Sequence, residues 1–306
     1  MFNVRNLKQS KEGWLNLAAP AKVNLMLSVH GRREDGFHEL TSVIAALDFG
    51  DELELRLNRE TTDTLVCDNS ALPLGASNLV LQAARHFREA TGRTESFDFS
   101  LKKRTPVGAG LGGGSSDGVA ALKGMDRLLG TNFGGHQLRE LAASLGSDCP
   151  FFVDAAPAVM TGRGECIEPL PNTVTDKISG QRLVLFRPDF GINTAWAYGE
   201  LAAMPEPYEP KAMAAARLSV FYGNGGLDEL LFNSFEQAIG QKFLAISCLL
   251  EILRSKGYRC LMSGSGSACF AIVDGDDEAA DIKATCHESW GPNIFWVETS
   301  LAERSI

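Results

Sequence analysis

The chain has 306 residues, a length that fits two domains of ordinary size or one large one. Hydrophobic residues make up 44% and charged residues 22%, which excludes an intrinsically disordered chain. The formal net charge of -9 argues against partners that need a broad basic face, so we expect neither a nucleic acid nor an anionic membrane to bind.

The apolar runs and the cysteines indicate the compartment. No apolar run approaches the roughly 18 residues of a membrane span, and the first residues lack the apolar stretch of a signal peptide. Seven cysteines are scattered without a C-x-x-C pair, which is typical of reduced thiols rather than of disulfides or a zinc site. We therefore expect a cytoplasmic protein without a structural metal.

Apolar periodicity predicts the secondary structure of the N-terminal half. Alternation with period two indicates strands, and apolar residues three or four apart indicate helices. The first helix is expected to begin at the N-cap Ser77 and to end at Gly92. In chain order we expect a loose extension over 1–14, strands over 17–29, 53–57 and 97–101, and further helices over 115–129 and 138–145.

The C-terminal half continues with both kinds of element. We expect strands over 183–186, 270–273 and 294–297, and helices over 232–253 and 277–286, while 202–226 has no clear pattern. Strands and helices are mixed without strict alternation, which favours an α+β fold. A shift in composition after Glu165 predicts two lobes, residues 1–165 and residues 166–306.

The segment 106–116 (PVGAGLGGGSS) carries the strongest local signal. Five glycines in seven residues allow positive φ angles and a close approach of backbone to ligand. The helix expected behind them offers free N–H groups and a dipole to an anion. We therefore expect a phosphate-binding loop rather than a flexible turn that binds nothing. No lysine follows the glycines, which excludes the Walker pattern. A dinucleotide pattern matches at Gly108, Gly110 and Gly113, but no strand ending in an acidic residue follows, which argues against an NAD(P) oxidoreductase.

Three segments in order resemble the kinase superfamily named for galactokinase, homoserine kinase, mevalonate kinase and phosphomevalonate kinase (GHMP kinases). They are 19–25 (APAKVNL), the glycine segment and 262–270 (MSGSGSACF). The resemblance implies an ATP-dependent small-molecule kinase that also uses Mg²⁺. Its implied fold has a ribosomal-S5-domain-2-like N-terminal lobe and a ferredoxin-like C-terminal lobe, with the active site between them. The implied nucleotide-binding residues are Pro106, Val107, Gly108, Ala109, Gly110, Leu111, Gly112, Gly113, Gly114, Ser115 and Ser116.

Two further segments narrow the resemblance to kinases whose acceptor alcohol carries a cytidine diphosphate. They are 36–40 (GFHEL), followed by Asp48 and Asp51, and 145–152 (LGSDCPFF), followed by 162–165 (GRGE).

The resemblance implies direct in-line phosphoryl transfer by two catalytic residues. Asp148 is the implied base that accepts the hydroxyl proton, and Lys22 is its cationic partner. From pattern alone, Asp148 is equally a residue that closes a tight turn. For Lys22, in an apolar segment, the alternative is an edge-strand lysine or one whose ammonium reaches solvent.

The acceptor is expected to contact aromatic and polar side chains. Phe37 and His38 are the implied contacts of the cytosine, and Asn24 the contact of the acceptor's hydroxyls. Tyr198 is the implied second aromatic, with Thr194 as a polar contact nearby. Trp196 can replace Tyr198 in this role, and core packing is the alternative for each of the aromatic residues.

Other functions remain open at this point. The chain is alternatively another kinase of the same superfamily, acting on mevalonate or a sugar, or a ligand sensor that kept the fold and lost catalysis. Its expected partner is one small-molecule substrate, and its expected state is a monomer or weak homodimer.

Overall fold

A hairpin of two long strands organises the computed structural model, which describes residues 13–303. The loose extension expected over 1–14 therefore lies almost entirely outside the described residues. The strands are β1 (Leu15–Arg32), β2 (His38–Leu57), β3 (Thr64–Cys67), β4 (Phe97–Lys102), β5 (Ala158–Gly162), β6 (Cys166–Pro169), β7 (Arg182–Arg187), β8 (Phe232–Asn233), β9 (Arg259–Met262), β10 (Cys269–Ile272) and β11 (Phe295–Ser300). The helices are α1 (Leu79–Thr91), α2 (Gly113–Leu129), α3 (Gly135–Ala143), α4 (Phe151–Asp154), α5 (Asn172–Thr175), α6 (Thr194–Ala202), α7 (Lys211–Tyr222), α8 (Phe235–Lys242), α9 (Leu244–Ser255) and α10 (Asp276–Trp290), and a 3₁₀ turn covers Leu227–Leu230.

The first sheet contains seven strands around this hairpin. Its order is β3-β4-β2-β1-β8, and β5 pairs with both β2 and β6. The alternating residues of β4 point inward as expected, because Phe97, Phe99 and Leu101 are buried beneath α1 and α2. The apolar face expected for the first helix is also confirmed in α1.

The second sheet has four antiparallel strands in the order β11-β7-β10-β9. Its strand β7 is buried on both faces, which explains the unbroken apolar run at 183–186. Val184 and Phe186 pack with α8, α9 and α10, whereas Leu183 and Leu185 pack with residues of β1 and β2. Two sheets with helices between and beside them confirm the α+β class.

Several boundaries differ from those expected. The first helix is capped by Asn78 rather than Ser77, because the Asn78 side chain accepts the Val80 N–H at 2.9 Å. The helix expected over 138–145 covers Gly135–Ala143, and the residues after Pro150 form the short helix α4. Residues 202–226, which had no clear pattern, contain α7.

The prediction of one long helix over 232–253 is wrong. This stretch contains β8, α8 and α9, with a break at Phe243. Asn233 explains the first interruption, because its amide nitrogen donates to Met262 O at 2.7 Å and Gly264 O at 2.8 Å, while its oxygen accepts the Phe235 N–H. These bonds hold the chain extended where periodicity alone predicts a helix.

The lobe boundary after Glu165 stays a prediction. The β5–β6 hairpin of the first sheet spans this boundary, and β8, far along the chain, pairs with β1.

All seven cysteines are free thiols, and four of them are buried. Within residues 13–303, no helix has the length and apolar character needed to cross a membrane.

Candidate active site

A cleft of about 970 Å³ lies between the hairpin, the glycine segment, α6 and the β9–β10 connection. It brings together residues that are far apart in the sequence. From the residues singled out in the sequence, it is lined by Lys22, Asn24, Phe37, His38, Asp148, Thr194, Tyr198 and residues 106–115 of the glycine segment. Ser116 is buried behind the lining. One wall thus joins a candidate phosphate loop to candidate catalytic and aromatic residues.

The glycine segment makes close backbone contacts that only glycine permits. Gly108, Gly110 and Gly112 have φ angles of 64°, 77° and 70°. A Cβ atom on Gly110 would lie 2.2 Å from the carbonyl oxygen of Ser263. α2 begins directly afterwards at Gly113 and has no side-chain cap, so its first N–H groups and its dipole are available to an anion.

The C-terminal glycine motif supports the first one from behind. The Ala268 N–H donates to Ala109 O at 3.1 Å, and the Ser263 hydroxyl donates to Gly110 O at 3.1 Å. The two loops, one from each sheet, therefore form a single rigid corner of the cleft.

Lys22 points its ammonium into this corner from β1. Its Nζ donates to Asn24 Oδ1 at 2.6 Å and to Gly110 O at 2.8 Å. Burial lowers the pKa of Lys22 to about 8, while the charge of Asp148 acts in the opposite direction. The ammonium is thus buried and hydrogen-bonded by neutral oxygens, and it lies near the Asp148 carboxylate without contacting it.

Asp148 lies on the turn between α3 and α4. Its Oδ1 accepts a hydrogen bond from the Ser115 hydroxyl at 2.7 Å, which links it to the first turn of α2. The direct contact expected between Lys22 and Asp148 is not present, because no ion pair within 4.0 Å joins them. Lys22 is occupied by Asn24 and the loop carbonyl, and its influence on Asp148 acts through space.

The far end of the cleft is aromatic. Phe37 is 48% exposed, and the Arg163 guanidinium lies 4.8 Å from its ring centre. His38 stacks on Tyr198 with ring centres 4.5 Å apart, and its Nε2 lies 3.4 Å from the Tyr208 hydroxyl. Burial, together with the positive charge of Arg32, lowers the pKa of His38.

The structure distinguishes the two aromatic residues of α6. Tyr198 lines the cleft, and burial raises its pKa to about 12. Trp196 instead packs edge-on against Phe243, with ring centres 5.5 Å apart, and does not line the cleft. Thr194 lies on the same helix and shares a hydrogen bond of 2.9 Å with Ser265.

Two arginines at this end were missed by sequence reasoning. Arg32 and Arg163 line the cleft and are exposed, and within residues 13–303 neither has a carboxylate oxygen within 4.0 Å. Unpaired guanidinium groups beside a cleft favour an anionic ligand. Arg163 belongs to the segment 162–165, so its charge was available as a signal.

Asp48 and Asp51, grouped with the acceptor-binding segment by the resemblance, do not line the cleft. Asp48 accepts the Ser300 hydroxyl at 2.8 Å, and Asp51 is fully buried behind the glycine segment. In the part of the chain that the structure describes, no three His, Cys, Asp or Glu side chains are arranged to hold a metal.

Known proteins resemble this chain over most of its length. Residues 78–162 match the GHMP kinases N terminal domain, and residues 224–292 match the GHMP kinases C terminal domain. The 4-diphosphocytidyl-2-C-methyl-D-erythritol kinase of Synechococcus sp. (strain CC9902) is 37% identical over 305 residues, covering 92% of this chain and 97% of the relative. The enzyme of the same name from Geobacter sp. (strain M21) is 34% identical over 284 residues, covering 90% and 96%.

Solved structures agree with the sequence relatives. A crystal structure of 4-(cytidine 5'-diphospho)-2C-methyl-D-erythritol kinase superposes with a TM-score of 0.74 at 32% identity, covering 93% of this chain and 99% of that one. The mevalonate kinase of Methanococcus jannaschii superposes with a TM-score of 0.73 at 11% identity, covering 96% and 100%, which shows the shared fold alone. The two-lobed fold expected from the three motifs is confirmed.

The lowered pKa of Lys22 predicts how stability changes with pH. Since burial lowers this pKa from its ordinary 10.5 to about 8, the folded protein holds this proton less tightly than the unfolded chain does. Stability should therefore increase as the pH rises from about 8 toward 10.5. Thermal unfolding of the wild type and of Lys22→Met across this range measures the effect. The wild type should gain in Tm relative to the variant, and a constant difference would contradict the lowered pKa.

Proposed function

The chain belongs to the family of 4-diphosphocytidyl-2-C-methyl-D-erythritol kinases, and from this premise we propose that it phosphorylates the 2-hydroxyl group of 4-diphosphocytidyl-2-C-methyl-D-erythritol. ATP is the phosphate donor, and the reaction serves the methylerythritol-phosphate route to isoprenoid precursors. The observation that carries the proposal is one continuous cleft. It has the glycine segment with Lys22 and Asp148 at one end, and at the other an exposed aromatic ring and two arginines that, within residues 13–303, lack a carboxylate partner.

The glycine segment holds the nucleotide phosphates in this proposal. Its backbone N–H groups and the N-terminus of α2 supply fixed donors for negative charge. Mg²⁺, when bound, would neutralise phosphate charge, and the Ser115 hydroxyl in the first turn of α2 would offer it an oxygen ligand.

Asp148 and Lys22 act on the acceptor hydroxyl. Its oxygen attacks the γ-phosphorus, the bond to the bridging oxygen breaks, and the electron pair leaves with ADP. Asp148 takes the hydroxyl proton, and the Ser115 hydroxyl orients the carboxylate. The Lys22 ammonium offsets the negative charge that develops beside it, and it is effective because its site excludes water.

The aromatic end selects the cytidine part of the acceptor. Arg163 covers one side of the Phe37 ring, which leaves the opposite face for cytosine to stack on. Tyr198 and His38 form the neighbouring wall, and Arg32 and Arg163 supply positive charge for the diphosphate. Asn24 and Thr194 remain the proposed polar contacts of the acceptor, although Asn24 already donates to Ser42 and accepts from Lys22.

Two other functions are weaker. A mevalonate or sugar kinase has no need for the exposed ring of Phe37 or for the two arginines. A sensor without catalysis would be free to lose Lys22 or Asp148, and both are retained in the cleft.

An ADP-release assay tests the function directly. With ATP and Mg²⁺ present, the protein should release ADP when 4-diphosphocytidyl-2-C-methyl-D-erythritol is added. It should not release ADP when mevalonate, galactose or homoserine is added instead. ADP release with one of the other alcohols would replace the proposed substrate. Binding of ATP without release under any condition would favour the sensor.

Asp148→Asn should lower kcat by roughly 10²- to 10⁴-fold, because it removes the base that accepts the hydroxyl proton. Nucleotide binding should change little. The matched control is Asp154→Asn, an exposed carboxylate in the adjoining helix that pairs with Arg139 at 2.6 Å. Near-normal turnover by the Asp148 variant would show that another group takes the proton.

Phe37→Ala should raise KM for the cytidine substrate by roughly 5- to 150-fold, the equivalent of about 1–3 kcal/mol for one stacked base. KM for ATP should stay the same. Trp196→Ala is the control, since Trp196 is also an exposed aromatic residue but lies outside the cleft lining. Equal increases in the KM for the cytidine substrate and the KM for ATP would show that Phe37 does not form part of the cytosine site.

A further inference from the structure

We propose that Asp51 and Lys103 are positioning residues of the glycine segment, whose two ends they join, with Asp51 behind the cleft and Lys103 in the cleft lining. The segment 106–116 is preceded directly by 103–105 and followed directly by Asp117. A buried bridge of Asp51, Lys103 and Asp117, here called the clasp, joins these two ends. The inference rests on the proposed role of this segment in nucleotide binding and is independent of the identity of the acceptor.

Asp51 holds the chain that enters the glycine segment. It lies near the middle of β2, and its side chain is fully buried. Its Oδ1 accepts the backbone N–H groups of Arg104 at 2.6 Å and Thr105 at 2.7 Å. One carboxylate oxygen therefore fixes the two peptides just before Pro106, where β4 has already ended.

Lys103 links Asp51, at the start of the glycine segment, to Asp117, which follows its end. Its ammonium donates to Asp51 Oδ2 at 2.5 Å and to Asp117 Oδ2 at 2.6 Å, and its side chain is only 2% exposed. Asp117 lies in the second turn of α2. A Cβ atom on Gly113 would lie 3.0 Å from the Lys103 ammonium, so the clasp passes directly under the first residue of α2.

The clasp is a costly way to stabilise a fold. It buries two aspartic acid side chains for one ammonium, and burial raises the pKa of Asp117 to about 7 against the attraction of Lys103. Asp117 Oδ1 and Thr105 Oγ1 are buried and lack a hydrogen-bond partner among the described residues, as does the hydroxyl of the adjoining residue Ser116. Apolar side chains would fill this space at lower cost, so the clasp is better explained by the geometry that it imposes.

That geometry matters for a loop rich in glycine. Such a loop has many accessible conformations, and ordering it on binding costs conformational entropy. Fixing both ends before the phosphates arrive lowers that cost and keeps the first turn of α2 aimed at them. Asp51 and Asp117, which do not line the cleft, should therefore strengthen nucleotide binding without touching the nucleotide.

The experiment compares variants that loosen either end. Asp51→Asn keeps an oxygen for the two backbone donors but turns an amide group toward Lys103, and Asp117→Asn frees the other end. The Kd of each for MgADP should rise about tenfold, which is about 1.4 kcal/mol. KM for the acceptor should not change.

Asp63→Asn is the matched control. Asp63 is also a carboxylate of low exposure in the same sheet region, accepting the Phe97 N–H at 3.0 Å and pairing with Arg88 at 2.6 Å, but at the opposite end of β4. It should lower Tm and leave the Kd for MgADP unchanged. If Asp51→Asn does not fold, Asp117→Asn decides, since it leaves the Asp51 contacts intact.

Hydrogen exchange tests the nucleotide site separately from the positioning role of the clasp. MgADP should slow exchange of the amides over 108–116 in the wild type. Without that protection the nucleotide site itself is wrong, and the role of the clasp falls with it. If protection is present while the clasp variants and Asp63→Asn all bind MgADP like the wild type, only the positioning role is overturned.

Discussion

The carbonyl group of Gly110 is the point on which the cleft depends. It accepts hydrogen bonds from Lys22 on β1 and from Ser263 in the β9–β10 connection, so three chain segments from two sheets meet at one oxygen. This meeting is possible only because residue 110 has no side chain, since a Cβ atom there would overlap Ser263 O at 2.2 Å. Burial of Lys22 at this point lowers its pKa, while the charge of Asp148 raises it. The ammonium is hydrogen-bonded by neutral oxygens rather than by a carboxylate.

The two ends of the cleft are built on different principles. At the glycine segment the donors are backbone N–H groups, held in place by neighbouring backbone and by buried charges. At the aromatic end the groups are exposed side chains, namely Phe37 and the two arginines, with freedom to adjust. In the proposed function, a rigid phosphate site and a more adaptable recognition site suit phosphoryl transfer, which depends mainly on positioning the donor and neutralising its charge.

The sequence allowed the site residues to be anticipated better than the course of the chain. Local patterns located most strands, and ordered motifs brought Lys22, Asp148 and Phe37 into consideration before the cleft was visible. Long-range hydrogen bonds could not be predicted, because the side chain of Asn233 interrupts a helical pattern by binding carbonyls 29 and 31 residues away. For the same reason the sequence could not show that Asp51 faces Lys103 rather than the cleft, or that Lys22 is held by Gly110 rather than by Asp148.

The β1–β2 hairpin has a further consequence for the molecule. Lys22 and Asn24 lie in the middle of β1, Arg32 closes it, and His38 opens β2 directly opposite Arg32. The same paired strands therefore carry residues at both ends of the cleft. Between Lys22 and Arg32 the ladder has register shifts at Asn24/Met26 and Val29/Gly31, so these irregularities, together with the rise per residue, set the distance between the two ends. The hairpin thereby limits the length of a ligand that can span the cleft.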